Sequence, residues 1–246
     1  MTLAADAVRL GSALARPQPD VGARFAREWW STRRPADWPH PPAGDGRGAL
    51  LIPGFLAGDA SLARPAAWLR TGDFRTYRSG IALNVDCMEP LVGRLEARAD
   101  DIAQRTGRRV VVIGQSRGGT LARVLAVRRP DLVDTLVTLG SPVRDQLAIS
   151  PRTEVAVRAV SALGTLGVPG LFSRGCADGA CCARSRSQAL RAFPPGVRYV
   201  AVVSSRDEVV RPAACTDPAA ETVDVATTHV GMGLDAGVWR ALAARL

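Results

Sequence analysis

The chain contains no lysine: all 32 of its basic residues are arginine, and against 23 acidic residues they leave a net charge of +9. The arginines stand singly or in pairs such as Arg33/Arg34, Arg108/Arg109 and Arg128/Arg129, and aromatic residues make up only 5% of the sequence. A surface that stacks bases needs a basic stripe with interleaved aromatics, so no nucleic-acid partner is expected. The excess charge leaves only weak contact with a membrane surface as an electrostatic expectation. No apolar stretch reaches the roughly 20 residues of a membrane-spanning helix, so no transmembrane segment is expected. Asp6, Arg9 and Pro17 interrupt the N-terminal segment where a secretory leader would run unbroken and apolar, and the chain therefore reads as cytoplasmic. Nothing in the sequence sets an oligomeric state.

Cysteine is also sparse, with five in 246 residues of which 47% are hydrophobic. A chain of this length buries a substantial core without staples, which excludes both a disulfide scaffold and a disordered polymer. Cys176, Cys181 and Cys182 nevertheless crowd together, and Cys215 follows later. That clustering suggests a disulfide from Cys181 or Cys182 to Cys215, with Cys87 free; a reducing compartment would instead keep all the thiols free. A zinc site is not expected, because a C-x4-CC cluster with a distant fourth cysteine lacks the usual paired CxxC spacing. No other feature calls for a metal or cofactor.

Residues 1–48 read as an arm rich in Pro and Trp (Trp29, Trp30, Trp38, Pro39, Pro41, Pro42), and residues 49–246 as one domain. In that domain short apolar runs alternate with amphipathic stretches, the pattern of a parallel sheet covered by helices. The expected strands are Ala49 to Ile52, Thr76 to Leu83, Arg109 to Ile113, Val133 to Leu139, Val197 to Ser204 and Thr222 to Ala226. Met88, Leu91, Val92, Leu95, Ala99 and Ile102 recur at helical spacing behind a cap at Asn84 or Asp86, and Gly107 closes that segment. Leu121, Val124 and Leu125 mark a second helix, and Leu234 to Leu246 a last one. The span 143–196 is far longer than an ordinary connection between helix and strand, so it reads as a helical lid inserted over the sheet.

The chemistry concentrates in RRVVVIGQSRGGTLARVLAV, where the apolar strand Val110 to Ile113 runs into Gly114, Gln115, Ser116, Arg117 and Gly118 and a helix follows at once. A GxSxG sequence in that strand–turn–helix setting lifts a serine hydroxyl toward a cleft and leaves the Arg117 amide as an unpaired donor at a helix start. Such a nucleophile needs a base, and the chain holds only two histidines. His40, in WPHPP ahead of the first strand, reads as a loop residue. His229 follows the last strand in a glycine-bearing loop, where a strand's C-terminal edge delivers side chains to the site. Asp207, in SSRDEVV after the fifth strand, is preferred over its neighbour Glu208 and over Asp224, which sits within the last strand. A carboxylate there would orient the histidine and stabilise its imidazolium. Gly54 in GALLIPGFLAGD permits close approach of the first loop, so that the Phe55 amide can serve as second oxyanion donor.

The segments LLIPGFLAGD, GQSRGG, LVTLGSPV, SRDEVV and THVGM together resemble the α/β-hydrolase superfamily, more narrowly its bacterial esterase and lipase members. The resemblance implies a mostly parallel sheet of about six strands with helices on both faces and a helical lid. It also implies a catalytic triad of Ser116, Asp207 and His229, and an oxyanion hole from Phe55 and Arg117. The expected activity is hydrolysis of small-molecule carboxylic esters through an acyl-enzyme; a thioesterase or acyltransferase would use the same residues, and a non-catalytic binding protein could share the fold. Leu56, Gln115, Val160, Leu163 and Val230 are the expected substrate contacts, the lid residues among them because VAVRAVSALGTLGVPGLF is apolar around most of its circumference.

Overall fold

A computed structural model describes residues 38–177 and 179–246. The Pro- and Trp-rich arm expected over residues 1–48 falls mostly on residues 1–37, which lie outside the described residues. Trp38, at its end, stacks on Trp239 with ring centroids 5.7 Å apart.

Six strands form one fully parallel sheet: β1 Gly48–Ile52, β2 Arg75–Arg78, β3 Val110–Gln115, β4 Val133–Leu139, β5 Arg198–Ser204 and β6 Glu221–Val225, in the order β2-β1-β3-β4-β5-β6. The chain steps from β1 outward to β2, then returns across β1 to build the rest of the sheet. The strand order therefore reverses between β1 and β3, and the crevice beyond their C-terminal ends is where open α/β sheets bind ligands. Strand β2 is shorter than its apolar pattern predicts. Beyond Arg78 the chain leaves the sheet because the Asp59 carboxylate captures the Ser79 amide at 3.0 Å, the Ser79 hydroxyl at 2.6 Å and the Gly80 amide at 3.0 Å.

Alternate residues of each strand face opposite sides, so burial on both faces demands two separate helical layers. On one face Leu50, Ile52, Val112 and Leu136 pack with α2 (Met88–Thr106) and α3 (Arg117–Arg128). On the other, Ala49, Leu51, Val111, Ile113 and Val200 pack with α1 (Ala63–Thr71) and with Trp239 and Leu242 of the C-terminal helix Ala236–Ala243. Helix α2 follows its sequence pattern: Met88, Leu91, Val92, Leu95, Ala99 and Ile102 are its buried residues, and Gly107 ends it at φ 66° with its amide on the Ala103 carbonyl. It starts at Met88 with Cys87 as cap, not at Asn84 or Asp86.

The span 143–196 carries α4 (Pro151–Thr165), α5 (Arg174–Ala177) and α6 (Ala183–Ala189). Pro151 stands at the first position of α4 and the Ser150 hydroxyl caps its Thr153 amide, so the start is locally encoded. Only Ser161 of α4 is buried, and Leu163 and Leu166 are 48% and 82% exposed. The helix lies over the C-terminal end of the sheet as an outer layer and contributes nothing to the two main cores. The remaining helices are α7 (Pro212–Cys215) and α8 (Ala236–Ala243), the latter capped by Asp235.

Candidate active site

Strand β3 ends at Gln115 and α3 begins at Arg117, so one residue, Ser116, makes the whole turn. Its backbone sits at φ 52°, ψ −126°, a region that costs a non-glycine residue on the order of 1–3 kcal/mol. The surroundings impose it: the Ser116 amide donates to the Leu139 carbonyl of β4 at 2.8 Å. Small residues flank the turn for a steric reason. A Cβ at Gly118 would lie 2.3 Å from the Ile52 carbonyl oxygen, and one at Gly114 would lie 2.5 Å from the Gly119 amide nitrogen.

His229 and Asp207 come from the loops after β6 and β5. Nδ1 of His229 lies 2.8 Å from Oδ2 of Asp207, and both side chains are withdrawn from solvent at 7% and 1% exposure. Oδ1 of Asp207 accepts the amides of Val209 and Val210, each at 2.8 Å. The carboxylate is thus fixed by its own loop while its other oxygen faces the imidazole. The backbone of His229 is held on both sides: its amide donates to Glu208 Oε2 at 3.1 Å, and its carbonyl accepts from Gln115 Nε2 at 3.1 Å. Gln115 precedes Ser116 directly, so that last bond ties the histidine loop to the serine turn. Asp224 is exposed on the body of β6, and His40 is exposed in the loop before β1.

The loop after β1 closes the opposite side. A Cβ at Gly54 would approach Ser116 Cβ to 3.2 Å, and Phe55 and Ser116 line the same cavity. Asn84, the chain's single asparagine, is fully buried and donates to the Pro53 carbonyl at 2.7 Å. Its own side-chain oxygen accepts from Arg117 Nη1, whose guanidinium also donates through Nη1 to the Asn84 carbonyl at 3.1 Å and through Nη2 to the Asp86 carbonyl at 2.5 Å. Burial pulls the Arg117 guanidinium down to about 10. One asparagine therefore links the two loops whose amides are the candidate oxyanion donors. No catalytic motif includes Asn84, and its only mark in the sequence is that asparagine occurs once in the chain.

A cavity of about 340 Å³ lies between these loops and the 143–196 insertion. Its walls are chiefly apolar: Phe55, Met88 and Leu121 from below, and Val143, Leu147, Ile149, Val157, Phe172 and Leu190 from the insertion. Ser116 opens into it. The residues expected to contact substrate do not form this wall. Gln115 is spent on the His229 carbonyl, and Leu56, Leu163 and Val230 are 48%, 48% and 43% exposed outside the lining. Val160 is half-buried but also outside it; Thr153 and Val157 face the cavity instead, one helical turn apart. A helix apolar on most sides shows no stripe from which the inward face could be chosen.

The structure does not bring Cys181 or Cys182 together with Cys215. All five thiols are free. Cys215 is buried with Ala148, Val203, Val210 and Ala214, whereas Cys181 and Cys182 meet Cys87, the residue expected to stand apart.

Neither a family model nor a curated protein matches the sequence. Solved structures do match in shape. Lipase BlEst2 of Bacillus licheniformis in its mature form superposes with a TM-score of 0.60 at 15% identity, covering 84% of this chain and 92% of that one. A monoacylglycerol lipase of Paleococcus ferrophilus gives 0.56 at 11% identity over 84% and 97% of the two chains. The 2-hydroxy-6-oxo-6-phenylhexa-2,4-dienoate hydrolase of Rhodococcus sp. strain RHA1 gives 0.54 at 17% identity over 83% and 90%. Such identities establish architecture and leave chemistry to the site itself. With its parallel six-stranded sheet, a serine turn after β3 and these structural counterparts, the chain is an α/β-hydrolase-fold protein.

Proposed function

We propose that the protein is a serine hydrolase of carboxylic esters, of the esterase and lipase type. The observation that carries this reading is the buried Asp207–His229 pair at 2.8 Å, tethered through Gln115 to the strained turn that holds Ser116. Structural counterparts that are themselves lipases support it.

In this reading His229 takes the Ser116 proton as the hydroxyl oxygen attacks the ester carbonyl. Asp207 holds Nδ1–H so that Nε2 is the free base, and it stabilises the imidazolium that forms. The carbonyl oxygen becomes an oxyanion received by the Phe55 and Arg117 amides; the latter is the first of α3, where the backbone donors have no partner within the helix. The imidazolium then protonates the departing alcohol, leaving an acyl-enzyme. Water, deprotonated by His229, attacks the acyl carbon and releases the acid with Ser116 restored. The insertion 143–196 acts as a lid that supplies apolar walls for the acyl chain and excludes water from the cavity.

A fluorophosphonate probe tests the reading first, since it labels only an activated serine. Labelling of wild type, its loss in Ser116→Ala, and turnover of an acyl-chain series of model esters are the expected results. Turnover of thioesters in preference to esters would move the assignment to thioesterase, a class also present among the structural counterparts. Absence of labelling would leave a binding protein on a hydrolase fold.

A further inference from the structure

Four of the five cysteines meet at one point. The sulfurs of Cys87, Cys176, Cys181 and Cys182 all lie within 4.8 Å of one another. The Cys87–Cys181 and Cys181–Cys182 separations are both 3.7 Å and Cys87–Cys182 is 3.2 Å. Two disulfides would divide four sulfurs into two pairs bonded at about 2.05 Å. A tetrahedral ion with metal–sulfur bonds of about 2.3 Å instead places every pair about 3.8 Å apart. The two 3.7 Å separations match the edges of such a tetrahedron, the 3.2 Å one is shorter, and every pair, Cys176 included, lies within 4.8 Å.

We propose that Cys87, Cys176, Cys181 and Cys182 form a four-thiolate site for one zinc ion, which staples the 143–196 insertion to the core beside Ser116. Soft thiolates in a tetrahedral set select zinc over hard cations, and a closed set of four protein ligands makes the site structural. Binding converts four thiols to thiolates and releases four protons, giving a centre of net charge −2. Two guanidiniums offset that charge. Arg117 lines the same cavity as Cys176 and Cys182, and its guanidinium donates to the Asp86 carbonyl next to Cys87. Arg186 donates to the Cys176 carbonyl at 2.9 Å and to the Gly179 carbonyl at 2.6 Å, which folds the ligand loop around the cluster. Cys87 adds a ligand from the other side, as the cap of α2. The Phe172 amide binds the Val85 carbonyl at 2.8 Å, so the insertion already touches the core two residues from that ligand.

The site would shape the substrate pocket without touching the reacting atoms. Cys176 and Cys182 both line the cavity that contains Ser116. Three ligands belong to the insertion and one to the core, so filling the site fixes the cavity roof against its floor.

The test uses the full chain, reduced and stripped of metal under anaerobic conditions, then given zinc or cobalt(II) alone. One zinc per chain should survive desalting. Cobalt should produce a sulfur-to-metal charge-transfer band with the visible bands of a tetrahedral centre, a readout that needs no variant. Cys181→Ser, at an exposed position, should lose stoichiometric zinc, and Cys215→Ser should keep it. Removing the metal should speed proteolysis within 143–196. The proposal is overturned if reduced wild type takes up no zinc, if it takes up iron in preference, if cobalt shows no thiolate band, or if peptide mapping of unreduced protein pairs these four cysteines in disulfides. Unchanged proteolysis on metal removal would overturn the staple. Each readout is independent of esterase activity.

Discussion

Gly140 lies directly against His229. It occupies φ 53°, and a Cβ there would reach Met232 Cε at 2.4 Å, Asp207 Oδ2 at 2.9 Å and His229 Nδ1 at 3.1 Å. The residue closing β4 therefore leaves just enough room for the Asp207–His229 pair to form. Gly140→Val is expected to push that pair apart while the β3 turn stays in place. Turnover should drop by at least about a hundredfold, as for misplacement of reacting groups by about 1 Å. Steady-state kinetics with a circular-dichroism check on folding tests this, and wild-type turnover in a folded variant would show that the pair needs no such clearance.

If Ser116, His229 and Asp207 form the proposed triad, they should behave as a unit. Ser116→Ala and His229→Ala are each expected to lower kcat by up to about 10⁶, and Asp207→Asn by about 10⁴ because an amide holds the imidazole in the wrong tautomer. The Ser116→Ala/His229→Ala double variant should be scarcely slower than either single one. A His229→Ala enzyme with wild-type kcat would sink the assignment, since the only other histidine is exposed before β1.

Chain-length selectivity should follow the cavity wall. Val157→Trp projects bulk into the apolar cavity, so it should depress turnover of long acyl esters while sparing acetates, at about 0.8 kcal/mol for each methylene displaced. Leu163→Asp, at an exposed position, should leave the profile unchanged. A reversed pattern in the acyl-chain series would mean that substrate lies on the other face of α4.

Stability should hinge on a buried ion pair that no sequence motif marks. Arg123 and Asp217 are 1% and 3% exposed with a 2.8 Å contact, and Arg123 also donates to the Ala189 and Arg191 carbonyls at 2.5 and 3.0 Å. The guanidinium thus joins α3, the end of the insertion and the loop before β6. Arg123→Met is expected to cost about 3–5 kcal/mol by stranding a buried carboxylate, and Arg123→Met with Asp217→Leu should recover much of that loss. Urea denaturation measures both, and a loss under about 1 kcal/mol in the single variant would show the pair to be dispensable.

The sequence by itself determined the sheet, the serine turn and the loops that carry Asp207 and His229. Strands β1, β3 and β5 are buried on both faces over nearly their whole length, so they read as apolar runs whatever their neighbours do, while β4 mixes Asp134, Thr135 and Thr138 into its apolar pattern. Helix α2 carries its face and its stop in local spacing and one left-handed glycine. Ser116 was legible because its turn is built from adjacent residues, and His229 because so few histidines compete with it. Strand β2 was overestimated, since its end depends on the Asp59 carboxylate reaching Ser79 and Gly80 from another loop.

Tertiary structure alone decided what depends on contacts between distant segments. Gln115 reads as a lining residue next to Ser116 until the His229 carbonyl arrives to accept its amide. Asn84 gains a role only when Pro53 and Arg117 converge on it. The same holds for the inward face of α4, which no periodicity marks because the helix is apolar on most sides. Cys87 lies far from the other clustered cysteines along the chain, and ligand spacing cannot reveal a cluster closed by the docking of an insertion onto the core. Local conformation is written in adjacent residues, whereas these pairings are set by packing between elements that the sequence lists far apart.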